Sequence, residues 1–180
     1  MPRPTLIIIG GPAGTGKTTL AYGLARRVGC PAICRDEIKE GMVHTAGRFD
    51  PAPGDELTRR TFPLFFDVLT LLVSSGVTVI ADAAFQDQVW RPKLEPLMAL
   101  AELRIVQCYA ERDVAWKRIA DRASERNAHA DGQLLAALEA GERYFEEFDR
   151  VSMPVPSIDV DTTSGYSPSL DEIVAFVNAQ

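Results

Sequence analysis

A glycine-rich turn near the start of the chain carries residues whose types and spacing could hold phosphate groups. Gly11 to Gly16 reads GPAGTG and runs into Lys17 and Thr18, the spacing of a phosphate-binding loop. Glycines let the backbone turn tightly and aim its N–H groups at phosphate oxygens. We expect Lys17 to reach the β- and γ-phosphates and the Thr18 hydroxyl to bind magnesium. The positions expected to contact the nucleotide here are Gly11, Pro12, Ala13, Gly14, Thr15, Gly16, Lys17, Thr18 and Thr19.

The residues on either side of this turn match what such a loop requires. The apolar run Leu6–Ile9 predicts a strand, and a helix with Leu20, Leu24 and Val28 on one face is predicted from about Lys17 to Val28. The helix N-terminus would add N–H donors and a positive dipole end. A chance match in an ordinary strand–turn–helix junction is the alternative, and this context disfavours it. The sequence therefore predicts that the chain binds a nucleoside triphosphate.

Composition limits the other classes of function. The 180 residues are 46% hydrophobic and 24% charged, which predicts one globular domain spanning residues 1–180. No apolar run approaches a membrane span, and the N-terminus lacks a signal pattern. A formal charge of -6 and a pI near 5.0 disfavour a general affinity for nucleic acid. Cys30, Cys34 and Cys108 lack metal-ligand spacing and are expected to be buried free thiols, which suits a reducing cytoplasm.

Strand and helix patterns alternate along the chain. This alternation predicts an α/β fold with a five-stranded parallel sheet and helices on both faces. In a long helix over 55–74, Pro63 is expected to produce a kink or to displace the start. The buried stripe of that helix is predicted to be Leu57, Leu64, Val68, Leu71 and Leu72. Strands are predicted at 6–9, 31–34, 77–81, 103–109 and 157–160, and the other helices at 17–28, from 36, and at 91–101, 113–123, 134–148 and 170–177.

Acidic residues follow two of the predicted strands, at the sheet edge where ligands of parallel sheets lie. Asp36 follows the second strand, as a helix N-cap or as the general base that accepts the proton of an attacking hydroxyl. Glu37 comes next and would lie in the first helical turn. Asp82 follows the apolar third strand, as a turn-capping residue or as the carboxylate directed at magnesium. The sequence favours the metal-directed role for Asp82.

Three arginines recur at four-residue spacing in and after a predicted helix. Arg118, Arg122 and Arg126 would repel one another on one face unless an anion lies nearby. Solvated arginines are the alternative, and Arg118 could instead pair with Asp121 or Glu111. Phosphate contact is the favoured interpretation for Arg122 and Arg126.

Together these segments resemble the small P-loop kinases, a group that includes chloramphenicol phosphotransferase, the kinase domain of polynucleotide kinase and zeta-toxin-like kinases. The resemblance covers most of the chain. It rests on four stretches, which read GGPAGTGKTT (10–19), RDEI (35–38), IADAAF (80–85) and RIADR (118–122).

The resemblance implies a single P-loop NTPase domain with a helical lid at about 118–132, which uses ATP and Mg²⁺. It implies that Asp36 activates the acceptor hydroxyl and that the lid arginines Arg118, Arg122 and Arg126 contact phosphates. It also implies that the segment of Asp161, Thr162 and Thr163 lies beside the adenine. With Lys17, the residues expected to take part in catalysis are then Asp36, Arg122 and Arg126, and the metal would be held by Thr18 and Asp82.

The leading hypothesis is an ATP- and magnesium-dependent kinase acting on a hydroxyl of a small molecule such as an antibiotic, a sugar or a nucleoside-like metabolite. A polynucleotide 5′-hydroxyl kinase and a nucleotide-dependent switch ATPase are the alternatives, and the acidic charge counts against the former. The identity of the acceptor, the choice between ATP and GTP and the oligomeric state stay open. The acceptor pocket is expected to draw on Lys39, His44, Arg48, Phe49, Arg59 and Arg60.

Overall fold

The fold is a five-stranded parallel sheet in the order β2-β3-β1-β4-β5, seen in a computed structural model that describes residues 2–47, 55–123, 139, 145 and 147–179. Every strand pair is parallel, which confirms the predicted fold class. The strands are β1 (Thr5–Gly10), β2 (Ala32–Cys34), β3 (Val79–Asp82), β4 (Glu102–Tyr109) and β5 (Ser157–Asp161).

Helices connect the strands. A 3₁₀ helix, Glu95–Ala99, follows the fourth α-helix directly. Within the described residues no helix is both long and apolar enough to cross a bilayer. The α-helices are α1 (Lys17–Val28), α2 (Arg35–Ala46), α3 (Glu56–Ser74), α4 (Asp87–Leu94), α5 (Arg112–Ala123) and α6 (Leu170–Asn178).

Successive residues of the central strands enter two cores, one on each face of the sheet, because side chains alternate along a strand. Leu6 and Ile8 of β1 face the core that α3 and α4 cover, where Phe65, Phe85 and Trp90 form edge-on ring contacts. Ile7 and Ile9 face the second core, covered by α1 and α6. Burial on both faces explains why these strands read as continuous apolar runs.

The buried stripe of α3 differs from the predicted one. Leu64 and Leu71 are 39% and 65% exposed, and the buried positions recur every four residues instead. Thr61 belongs to the true stripe because its hydroxyl donates to the Leu57 carbonyl at 2.7 Å, so its burial leaves no polar atom unpaired. The residues that α3 buries are Leu57, Thr61, Phe65, Phe66, Leu69 and Val73.

The bounds of several other elements also differ from the predicted ones. The helix α3 begins at Glu56 and continues through Pro63, so the start is not displaced. The helix predicted over 91–101 begins earlier, and its second half is the 3₁₀ segment. The strand predicted at 77–81 is shifted, so that Asp82 is the last residue of β3. The lid after Ala123, with Arg126, lies outside the described residues, and so does the helix predicted over 134–148 except for residues 139, 145, 147 and 148.

The two faces of α3 give a stability prediction with an internal control. Leu69→Ala removes a fully buried side chain and should lower the free energy of unfolding by about 2–5 kcal/mol. Leu71→Ala makes the same chemical change on the exposed face and should cost less than about 0.5 kcal/mol. Urea unfolding of the two variants measures both values. Equal losses would contradict the assigned orientation of α3.

Candidate nucleotide-binding site

The carboxyl ends of three neighbouring strands bring the predicted site residues to one edge of the sheet. In the register of the sheet, Asp82 of β3 lies beside Ile9 of β1 and beside Cys34 of β2. The glycine-rich turn leaves β1 immediately after this level, and α2 begins one residue after Cys34. The site is therefore set by strand register before any side chain of the loops is considered.

The turn from Gly11 to Gly16, called the phosphate loop below, packs closely against β4 and α5. A Cβ at Gly11 would lie 2.2 Å from the Cys108 carbonyl oxygen, and one at Gly14 would lie 2.3 Å from the Ala115 carbonyl oxygen. Both residues also have positive φ, at 137° and 77°. These are the two positions where the loop can hold only glycine without moving its neighbours.

The Pro12 carbonyl of the phosphate loop accepts two hydrogen bonds. The Thr15 hydroxyl donates to it at 2.7 Å and the Lys17 ammonium at 2.8 Å. Lys17 thus folds across the loop, in the position from which its ammonium can meet phosphate oxygens. Gly16 is the N-cap of α1, whereas Thr19 faces solvent.

Thr18 and Asp82 meet directly. The Thr18 hydroxyl donates to Asp82 Oδ2 at 2.6 Å, while Asp82 Oδ1 is buried with no hydrogen-bond partner. Burial raises the pKa of Asp82 above its usual range. The charge of Lys17 and the side chains of Thr18 and Cys34, which hydrogen-bond to this carboxylate, oppose the rise, and the charge of Asp36 reinforces it. A buried carboxylate oxygen without a donor beside a threonine hydroxyl fits a hard cation such as magnesium, which prefers oxygen ligands.

Asp36 and Glu37 point to different surroundings. The helix α2 begins at Arg35 with Cys34 as its N-cap, so the capping role considered for Asp36 is wrong. Asp36 is largely exposed and accepts from Arg35 at 2.9 Å. Glu37 accepts from the Tyr22 hydroxyl on α1, and this hydrogen bond raises the pKa of Tyr22. Of the two carboxylates, Asp36 is the one left facing solvent at the sheet edge.

Arg118 and Thr162 contact each other and the backbone of the phosphate loop. Arg118 donates to the carbonyl oxygens of Gly14 and Thr162 at 3.3 Å and 2.7 Å, and pairs with neither of the carboxylates considered from the sequence. Thr162 is 3% exposed and its Oγ1 lies 2.9 Å from the Thr15 carbonyl oxygen. Arg122 lies one turn farther along α5 and is half-buried, and Arg126 lies outside the described residues.

The residues expected to form an acceptor pocket lie in different surroundings. Lys39 donates to Asp55 and Thr58 at the start of α3, at 2.7 Å and 2.8 Å, and so joins α2 to α3. Arg60 borders an open, largely apolar groove of about 410 Å³ whose other lining residues are Ile38, Gly41, Met42, Thr45, Ala46, Leu57 and Leu64. His44 and Arg59 are exposed, and Arg48 and Phe49 lie outside the described residues.

The groove and Asp36 lie on different sides of α2. Residues of an α-helix are about 100° apart, so Ile38 points about 200° away from Asp36. The groove between α2 and α3 is therefore distinct from the sheet edge where Thr18 meets Asp82 and where Asp36 is exposed.

Two residues of the site escaped the sequence analysis. Cys34 was considered only as a buried thiol, yet strand register sets it beside Asp82, and burial raises its pKa. Gln107 of β4 is 3% exposed, donates to the Val151 carbonyl at 2.7 Å, and lies beside Gly10 of β1 in the sheet. The only feature of the sequence that could have pointed to these two residues is their position near the carboxyl end of a predicted strand.

Comparisons with known proteins agree with this geometry. The model of a family described as an AAA domain matches residues 6–148. Uncharacterized proteins of Mycobacterium tuberculosis and Mycobacterium bovis are 32% identical over 161 residues, covering 84% of this chain. The chain spans only about a third of the length of these relatives, 32%.

Solved structures of kinases share the fold. A candidate kinase from Chloroflexus aurantiacus is 26% identical with a TM-score of 0.80, covering 98% of this chain and 95% of that one. A gluconokinase from Sinorhizobium meliloti is 18% identical with a TM-score of 0.60, covering 98% and 93%. The APS kinase of Mycobacterium tuberculosis, in complex with AMPPNP and APS, is 16% identical with a TM-score of 0.65, covering 99% and 100%. The resemblance to small P-loop kinases is thereby confirmed.

Gly14 and Gly23 give matched glycine substitutions. Gly14→Ala places a Cβ against the α5 backbone at a positive φ and should abolish detectable ATP binding. Gly23→Ala adds the same methyl group on α1, where nothing lies within 4 Å, and should raise stability by about 0.5–1 kcal/mol with ATP binding unchanged. Calorimetric titration with ATP and urea unfolding check both. Wild-type ATP affinity in Gly14→Ala would contradict the role of this contact.

Proposed function

We propose that this chain, which belongs to the AAA domain family, is an ATP- and magnesium-dependent kinase that transfers the γ-phosphoryl group to a hydroxyl of a small molecule. The observation that carries the proposal is the contact between Thr18 and Asp82 beside the phosphate loop, with one buried Asp82 oxygen left without a donor. That arrangement has the hard oxygen ligands that a magnesium nucleotide needs, directly at the carboxyl ends of β1 and β3. The kinases among the structural relatives support the same class of reaction.

The nucleotide end of the reaction is assigned to the phosphate loop. In the proposal the loop N–H groups bind the phosphates, and the Lys17 ammonium moves from the Pro12 carbonyl to the β- and γ-phosphate oxygens. Thr18 and Asp82 would hold magnesium, which when bound neutralises charge on the phosphate oxygens. Arg122 and Arg126 are proposed to add positive charge from the lid side, where charge develops during transfer.

The acceptor end is assigned to Asp36. In the proposed step the acceptor oxygen attacks the γ-phosphorus, the bond from that phosphorus to the β,γ-bridging oxygen breaks, and ADP leaves. The acceptor's proton passes to the Asp36 carboxylate, which is exposed at the start of α2 and therefore open to a substrate. Glu37 is a weaker candidate for the base because its side chain is directed at Tyr22 of α1 and is less exposed than that of Asp36.

The cytoplasm is the proposed location, and three free thiols support it. The structure forms no disulfide among Cys30, Cys34 and Cys108, and the last two are buried. Burial raises the pKa of Cys108 to about 12, so this thiol stays protonated and unreactive. Thiols of this kind suit a reducing compartment.

An acceptor screen that follows ADP release tests the proposal. Release stimulated by a small alcohol, and absent in the Lys17→Ala protein, is the expected result. Stimulation by an oligonucleotide with a 5′-hydroxyl end would favour polynucleotide kinase activity instead. ADP release that no acceptor stimulates would favour a switch ATPase.

Asp36→Asn should lower turnover about a hundredfold or more while ATP affinity and melting temperature stay at wild-type values, because asparagine is close in shape but cannot take the proton. Glu37→Gln is the matched control, an acid-to-amide change at the next residue, and should retain most turnover. Initial rates with the acceptor from the screen measure both. Wild-type turnover in Asp36→Asn would remove Asp36 from the proposed mechanism.

Asp82→Asn should raise the magnesium concentration needed for half-maximal ATP binding, because an amide oxygen is a weaker ligand than a carboxylate. Thr18 and the phosphate loop stay intact, so binding of ATP at saturating magnesium should recover toward the wild-type level. Titration of magnesium against a fluorescent ATP analogue measures the shift without reference to catalysis. A titration that overlays the wild-type curve would assign Asp82 a structural role.

A further inference from the structure

The phosphate loop has carbonyl groups that must be kept out of the anion site. A trans peptide directs its C=O and its N–H to opposite sides, so an N–H can face phosphate only where the attached carbonyl faces away. For Gly14 and Thr15 the carbonyl oxygens point at α5 and at the turn after β5. A carbonyl turned inward would present negative charge to an anion.

Arg118 holds the first of these carbonyls. Its guanidinium lies 3.3 Å from the Gly14 oxygen and also donates to the carbonyls of Thr162 and Thr163, at 2.7 Å and 3.3 Å. The remaining contact joins Arg118 to the Thr162 hydroxyl at 3.3 Å. A planar fork with several donors can serve such divergent acceptors at once, which a lysine cannot.

Thr162 holds the second carbonyl. Its Oγ1 lies 2.9 Å from the Thr15 oxygen and 3.1 Å from the Tyr109 oxygen, and its own N–H donates to Tyr109 at 2.9 Å. The residue is 3% exposed, so its hydroxyl is directed at protein groups. It therefore ties the phosphate loop to the ends of β4 and β5.

We infer that Arg118 and Thr162 are positioning residues, which fix the peptides after Gly14 and Thr15 with their N–H groups toward phosphate. The inference rests on the proposed nucleotide binding and replaces the direct contacts with nucleotide that the sequence predicted for both residues. The inference predicts that these residues affect binding of the phosphate groups and leave binding of the base unchanged. A direct contact with adenine would act on the base, and a direct ion pair with phosphate would need Arg118 but not the Thr162 hydroxyl.

Thr162→Val tests this because it removes a hydroxyl and changes neither charge nor shape substantially. We expect it to weaken binding of inorganic tripolyphosphate about threefold to tenfold, the value of one hydrogen bond, and to leave adenosine binding unchanged. Thr162→Ser keeps the hydroxyl and should bind tripolyphosphate nearly as the wild type does. Thr70→Val is the matched control, since the Thr70 hydroxyl also donates to a backbone carbonyl, that of Phe66 on α3 at 2.7 Å, and has no contact with the phosphate loop.

Competition by tripolyphosphate, and separately by adenosine, against a fluorescent ATP analogue gives these affinities. Wild-type affinity for tripolyphosphate in Thr162→Val would overturn the inference, and so would a loss confined to adenosine. Arg118→Lys provides an independent test if Thr162→Val does not fold. It keeps the charge but loses the fork, so positioning predicts weaker tripolyphosphate binding, whereas unchanged binding would overturn it. No acceptor enters these measurements, so their outcome is separate from that of the acceptor screen.

Discussion

The phosphate loop can offer its N–H groups to an anion only if its carbonyl groups are satisfied elsewhere, and much of the surrounding structure meets this requirement. The Pro12 carbonyl is satisfied locally, by Thr15 of the loop and by Lys17 at the start of α1. The carbonyls farther along depend on donors from α5 and from the end of β5. The strand β5 and helix α5 are distant from Gly14 in sequence. They nevertheless determine whether this glycine-rich turn holds one conformation before a ligand arrives.

Strand register also sets the position of Asp82, one of the two proposed magnesium ligands. Asp82 and Cys34 are paired across β2 and β3, and Thr18 lies in the first turn of the helix that leaves the phosphate loop. The carboxylate is buried, and burial raises its pKa because an ionised oxygen loses its water there. An ionised carboxylate buried in this way is destabilised when no cation lies beside it. On the proposed function, binding of the magnesium nucleotide relieves this destabilisation and thereby gains affinity.

The backbone motifs were predictable from the sequence, and the partners of individual side chains were not. The phosphate loop, the parallel sheet and the position of Asp82 follow from residue types in order along the chain. The predicted stripe of α3 was right at Leu57 and wrong at Leu64 and Leu71, which are exposed. It also omitted Thr61, which occupies a core position because its hydroxyl bonds to a carbonyl of its own helix. The carbonyl partners of Arg118 were not predictable because residue types do not reveal which backbone carbonyls lie nearby. Such carbonyls belong to segments that are far apart in sequence.

The difference between backbone motifs and side-chain partners also bears on the structural relatives, which share the fold but carry the names of different kinases. A gluconokinase and an APS kinase match this chain at 18% and 16% identity. On the proposed function, the nucleotide site would tolerate sequence change because backbone N–H groups of the phosphate loop would bind the phosphates. Lys39 of α2 donates to Asp55 and Thr58 at the start of α3, so its positive charge joins the two helices. On the proposed function, recognition of the acceptor at Asp36 would therefore fall to other groups than Lys39.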